Sequence, residues 1–227
     1  MTDLPKNSPP PVLRVQRNLL AASERRLLIW LCQRMPAWVT PDFLTAAGLF
    51  GAVAVFVGYV CSNFHGGWLW LAVGGIVLHW FGDSLDGSIA RYRQIERPSF
   101  GYFIDHSCDG FATLLILAGM GLSPFVRLDL ALVCLAGYLL LSIHAFLSAR
   151  VIGELQLSHV GAGPTEARIA LIAFTLAMMM FGGESDLIGT ISGFDLLVGG
   201  AGALLITLFV IQTIVTGRRI ARLEGQP

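Results

Sequence analysis

The sequence predicts an all-α polytopic membrane protein, with six transmembrane helices and an N-terminal amphipathic helix lying in the membrane interface. Of its 227 residues 55% are apolar and only 13% charged, and the mean hydropathy is +0.69. A water-soluble domain carries about 25% charged residues, so this surface does not face water all round. The apolar residues fall into six stretches, at about 43–63, 68–91, 101–121, 129–152, 167–183 and 194–216. Each is close to the roughly 20 residues that one bilayer-spanning helix needs. The segments between them, NFHGG, RQIERPS, LSPF, SHVGAGP and GGESDLIGTISG, are turn-rich and too short to hold a soluble domain.

Ahead of the first stretch, residues 1–14 are polar and Pro-rich, which predicts an extended or disordered segment. They lack the apolar run of a secretory signal, so no cleavage or export is expected. Residues 15–35 place Leu19, Leu20, Leu27, Leu28 and Leu31 apart from Arg17, Glu24, Arg25 and Arg34. That pattern suits a helix in the interface, or equally an amphipathic helix packed on the rest of the protein. A division follows into an N-terminal segment, 1–35, and a membrane domain, 36–227.

Lys plus Arg and Asp plus Glu are equal at 15 each, so no basic excess points to nucleic acid. With the N-terminus cytoplasmic, six spans would leave only Arg127 of the basic residues on the far side. The positive-inside rule therefore places both termini in the cytoplasm and the protein in the inner membrane. Cys32, Cys61, Cys108 and Cys134 form no C-x-x-C pair, which argues against zinc or a disulfide framework. Small residues such as Gly74, Gly75, Gly119 and Gly121 permit close helix packing.

Chemistry concentrates in two spans. The second ends LHWFGDSLDGSIARYR and the third begins GYFIDHSCDG. Asp83 and Asp86 are three apart and Asp105 and Asp109 four apart, so each pair shares a helical face. A short turn joins the two helices, so four carboxylates can point at one another. Like charges at such a site oppose folding unless a cation joins them, and two divalent ions would balance four carboxylates. An oxygen-only ligand set suits two Mg²⁺ or Mn²⁺ ions. Arg91 is placed to meet phosphate or to anchor the span at the interface. Arg93, Arg97, Arg150 and Arg168 form a basic rim that draws in anions or simply stays solvated. His79 and His106 read as packing residues, Trp80 and Tyr102 as interface or packing aromatics, and His65 and His159 as loop residues without a role.

Residues 83–109 spell D-x2-D-G-x2-A-R-x9-G-x3-D-x3-D. This pattern resembles the signature of the CDP-alcohol phosphotransferase family, integral membrane enzymes of six transmembrane helices that build phospholipid headgroups. The resemblance covers residues 36–216. It implies Asp83, Asp86 and Asp105 as metal ligands, with Asp109 as general base and additional ligand. Gly87, Ala90 and Arg91 would line the CDP site, with Gly101 near it. The segment Trp38-Val39-Thr40-Pro41-Asp42-Phe43-Leu44-Thr45 is similar to the family's Pro-Asn-x-x-Thr stretch, with Pro41, Asp42 and Thr45 at the matching positions and Asp42 in place of the usual Asn. Gly163-Pro164-Thr165-Glu166 resembles a segment of the CDP-choline and CDP-ethanolamine enzymes that act on diacylglycerol, and His144 resembles a histidine of that branch. Glu166 would then meet a cationic headgroup, or else cap the fifth span.

The family likeness implies that metals bridge a CDP-linked donor while Asp109 deprotonates an acceptor hydroxyl, which attacks phosphorus and releases CMP. Phospholipid synthesis would be the result, with CDP-aminoalcohol plus diacylglycerol slightly favoured over CDP-diacylglycerol plus a polyol, and a homodimer as the assembly. Two other classes compete. A membrane prenyltransferase of the UbiA type also holds a diphosphate with Asp-rich helices, and would release inorganic diphosphate. A divalent-cation transporter would use the acids as an ion path.

Overall fold

The computed structural model describes residues 13–14, 21–155, 163–182, 186–188 and 191–225. Seven helices occupy nearly all of them: α1 Ala21–Arg34, α2 Pro41–Cys61, α3 Leu69–Tyr92, α4 Pro98–Gly121, α5 Leu128–Ile152, α6 Pro164–Phe181 and α7 Gly193–Glu224. Four very short strands punctuate them. β1 (Leu13–Arg14) pairs parallel with β2 (Glu154–Leu155), and β3 (Asp186–Ile188) pairs antiparallel with β4 (Ile191–Ser192). Helices α2, α5, α6 and α7 are long and apolar enough to cross a membrane. Helices α3 and α4, of 24 residues each, are the two interrupted by aspartates. The chain is thus an all-α polytopic membrane protein.

The helix ends differ from the predicted spans where caps decide. Pro98 and Pro164 occupy first-turn positions of α4 and α6, where a missing N–H costs nothing, so both helices begin before their apolar stretches. Helix α7 runs on past the expected end at 216 through the amphipathic stretch GRRIARLE, and stops only at Gly225. Thr40 caps α2, its Oγ1 accepting from the Phe43 N–H at 3.1 Å with Pro41 in the first turn. Residues 1–12 and 15–20 of the predicted N-terminal elements lie outside the described residues.

Lipid offers no hydrophobic drive for helix association, so the bundle depends on close van der Waals fit and buried hydrogen bonds. Helices α2 and α3 meet at glycines. A Cβ on Gly82 would lie 2.4 Å from the Gly48 nitrogen and the Leu44 oxygen, and one on Gly51 2.5 Å from the His79 nitrogen. At the same crossing the His79 ring, 7% exposed, bonds through Nδ1 to the Gly48 carbonyl at 3.1 Å, which is the packing role expected of it. The Tyr59 and Thr175 hydroxyls meet at 2.6 Å and tie α2 to α6. Helix α1 packs Leu28, Leu31 and Cys32 against Val39, Leu44, Leu85 and Ile89, while Leu27, Ile29 and Trp30 stay exposed on its other side. The packing role foreseen for this helix is thus met by one of its faces.

Replacing Gly82 by Ala should destabilise the detergent-solubilised protein by ~1–3 kcal/mol, because backbone would have to move. Gly74→Ala, whose Cβ meets nothing within 4 Å, should change it by less than about 0.5 kcal/mol. Thermal unfolding of the two variants side by side checks the contrast.

Candidate active site

The acidic residues converge because α3 ends and α4 begins across a tight reversal. Gln94 takes the left-handed conformation there, at φ 59°. The Arg93 guanidinium fastens that turn to the preceding α1–α2 connection, donating to the carbonyls of Val39 at 2.6 Å, Pro36 at 2.8 Å and Met35 at 3.2 Å. Carboxylate oxygens of Asp83, Asp105 and Asp109 lie within 4.8 Å of one another, each residue being partly buried. Asp86 sits beside this trio with both oxygens engaged: Oδ2 accepts from Thr45 Oγ1 and Oδ1 from the Gly87 N–H, each at 2.5 Å. Asp83 Oδ2 accepts from Arg168 Nη2 on α6, also at 2.5 Å.

These groups form one end of a cavity of about 1180 Å³. Pro41, Asp42, Thr45, Asp83, Asp86, Gly87, Ala90, Arg91, Gly101, Asp105 and Asp109 all line it. Glu166 is not on its wall; its Oε2 accepts from the Gly163 N–H at 3.0 Å, which is the capping geometry foreseen as the alternative. His144 likewise faces elsewhere, with Nε2 3.3 Å from Thr216 Oγ1 on α7. Asp42, in the place of an asparagine, forms an ion pair with Arg97, whose guanidinium lies 4.3 Å from the centroid of the Phe100 ring. Away from the acids the wall turns apolar, with Ile76, Ile116, Leu117, Met120, Phe174 and Leu205.

Three lining residues take contacts that the sequence reading did not foresee. Arg168 was expected on a basic rim that draws in anions or stays solvated, yet its side chain is 14% exposed and joined to Asp83. Glu24 belongs to the interfacial helix, but its Oε1 accepts from Thr165 Oγ1 at 2.5 Å and Trp80 Nε1 at 3.3 Å, pinning α1 to α6 and α3 at the cavity wall. His106 is flanked by the rings of Tyr102 at 4.3 Å and Phe146 at 5.1 Å, as a packing residue would be. Its two nitrogens nonetheless have no hydrogen-bond partner among the described residues, and it too lines the cavity. The signals legible beforehand were the place of His106 between two aspartates and that of Arg168 in the basic rim; Glu24 had none.

A family model for CDP-alcohol phosphatidyltransferases matches residues 38–217. The chain belongs to this family. Among curated proteins it is 40% identical over 87 residues to a phosphatidylinositol phosphate synthase of Cutibacterium acnes, a match covering 38% of this chain and 39% of that one. It is 30% identical over 96 residues to cholinephosphotransferase 1 of Danio rerio, covering 40% and 25%. An archaetidylinositol phosphate synthase of Methanothermobacter thermautotrophicus is 31% identical over 101 residues, covering 44% and 49%. The chain thus matches about a quarter to a half of the length of each of these relatives. Nothing in these likenesses supports the prenyltransferase or transporter readings.

Enzymes of the CDP-alcohol phosphatidyltransferase family are generally dependent on divalent metal. The donor set here fits such an ion: three carboxylates within reach of one another, and no sulfur or imidazole among the clustered atoms.

Glu24→Ala removes the acceptor for both Thr165 and Trp80. Amide exchange should then quicken in α1 while α5 and α7 keep their protection, as hydrogen–deuterium exchange with mass spectrometry would read.

Proposed function

We propose that the chain transfers a phospho-alcohol group from a CDP-linked donor to an acceptor hydroxyl with release of CMP, and that CDP-aminoalcohol and diacylglycerol are its substrates. The observation that carries the reading is the convergence of Asp83, Asp105 and Asp109 at the polar end of a cavity whose other end is apolar. Asp83, Asp86, Asp105 and Asp109 would hold two Mg²⁺ or Mn²⁺ ions. Bound there, they supply Lewis-acid stabilisation of the donor diphosphate.

This chain's own residues do the rest. Gly87, Ala90 and Gly101 carry little or no side chain, so donor can approach the backbone beside the acids, and Arg91 meets its phosphates. Pro41 and Thr45 shape the nucleotide side, Thr45 also holding the Asp86 carboxylate in place. Asp109 takes the proton of the acceptor hydroxyl, whose oxygen bonds to phosphorus as the bond from phosphorus to the CMP oxygen breaks. The His106 imidazole, whose Nδ1 lies 3.4 Å from Asp105 Oδ2, is a second titratable group on the cavity wall for that proton.

Charge favours the aminoalcohol route. Among the described residues the arginines lining the cavity are Arg91, Arg97 and Arg168, and two of them are paired with Asp42 and Asp83. A phosphorylated polyol acceptor would need free cations beyond those that meet the diphosphate. An aminoalcohol headgroup and a neutral diacylglycerol need none. The Gly163-Pro164-Thr165 stretch lies on the wall, next to the Glu24 carboxylate. Glu166, engaged with the helix start, would act on the headgroup only through this stretch. Basic residues gathered at the acid-bearing helix ends favour a cytoplasmic site with both termini on that side of the inner membrane. A homodimer with a membrane domain over 36–227 completes the proposal.

Supplying proteoliposomes with labelled CDP-choline, CDP-ethanolamine and CDP-diacylglycerol separates the routes by chromatography. Label should pass from a CDP-aminoalcohol into lipid with stoichiometric CMP; turnover of CDP-diacylglycerol alone would overturn the substrate choice. Asp109→Asn should lower CMP release at least ~100-fold without loss of folded protein, in keeping with the size of general-base effects. His106→Gln should lower it less, and the reverse order would move the base role to His106.

A further inference from the structure

Three carboxylates partly withdrawn from water repel one another, and each needs a positive neighbour. The basic side chain that meets this trio is Arg168, from the second turn of α6, 2.5 Å from Asp83 Oδ2. Only 14% of the Arg168 side chain and 22% of that of Asp83 is exposed, so solvent screens the pair weakly. The other cavity arginines are turned elsewhere, Arg91 donating to Ser88 Oγ at 3.3 Å and Arg97 to Asp42. The pair also adds an ionic link between two packed helices, Asp83 belonging to α3 and Arg168 to α6.

We propose that Arg168 is a built-in competitor of the divalent cation: it compensates the carboxylates before metal arrives and must yield Asp83 for the ion to bind. This rests on the metal-dependent reading above and adds a positioning residue that sets metal affinity and couples it to α6. A carboxylate oxygen held by a guanidinium at 2.5 Å is a poorer ligand than a free one, and the guanidinium charge opposes a second cation nearby. Removing it leaves the acids uncompensated, a cost that divalent metal can relieve and that a merely structural cross-link would not show.

The test uses the purified full chain and Mn²⁺ alone, with free Mn²⁺ read by electron paramagnetic resonance and unfolding by heat. Arg168→Gln should bind Mn²⁺ about tenfold more tightly than the parent, the scale of losing one repulsive charge at a partly buried site. It should unfold earlier in EDTA, with the difference abolished by saturating Mn²⁺, and Arg168→Lys should keep an affinity near the parent's. In the unmutated protein, Mn²⁺ should speed amide exchange in the first two turns of α6 as Arg168 lets go, a readout that needs no variant to fold. Unchanged or weaker Mn²⁺ binding by Arg168→Gln, or α6 exchange unaltered by Mn²⁺, overturns the proposal and leaves the metal reading standing. Absence of Mn²⁺ binding by the parent protein overturns both.

Discussion

Carboxylates do not collect in the wall of a membrane bundle without something positive to hold them, and here Asp83, Asp105 and Asp109 come within 4.8 Å of one another. The fold is arranged around that electrostatic demand. Gly48, Gly51 and Gly82 let α2 and α3 approach until their backbones touch, which seats Thr45 against Asp86. The Arg93 guanidinium clamps the loop before α2 to the end of α3. Arg168 reaches in from α6 to supply the one guanidinium that pairs with the cluster among the described residues. None of these contacts is strong alone, yet each removes freedom from a group that repulsion would otherwise push away.

A second consequence is the division of the cavity. Its polar end holds the aspartates, which stand inside α3 and α4 roughly two to three turns from the connection between the two helices, so their charge has to be met by side chains rather than by unpaired backbone groups. Its apolar end, with Met120, Phe174 and Leu205, lies deeper among the helices. A reaction between a water-borne nucleotide conjugate and a lipid alcohol requires this kind of gradient, since each reactant must reach phosphorus from its own phase. Gly87, Ala90 and Gly101 leave space in the cavity wall where a bulkier side chain would intrude.

Much of this was legible in the sequence, because periodicity and hydropathy act locally. Six apolar stretches became six long helices, and two aspartate pairs at helical spacing became one cluster. What escaped were contacts between segments distant in the chain. Glu24 reads as one charge on an amphipathic helix, and nothing local says that it accepts from Thr165, 141 residues away. Arg168 reads as one member of a basic rim, and only the packing of α6 on α3 brings it to Asp83. Glu166 reads as a headgroup ligand or a helix cap, and its position three residues after Gly163 gives it the cap contact in the fold. The end of α7 was misplaced because hydropathy falls at 216 while helix propensity does not.

The central claim is that aspartates from two neighbouring helices jointly hold divalent cations. Anomalous diffraction at the manganese edge, from crystals grown with Mn²⁺, tests it most directly. The account predicts density among the carboxylates of Asp83, Asp105 and Asp109. Manganese bound elsewhere, or α3 and α4 carboxylates facing apart with no ion between them, would contradict it.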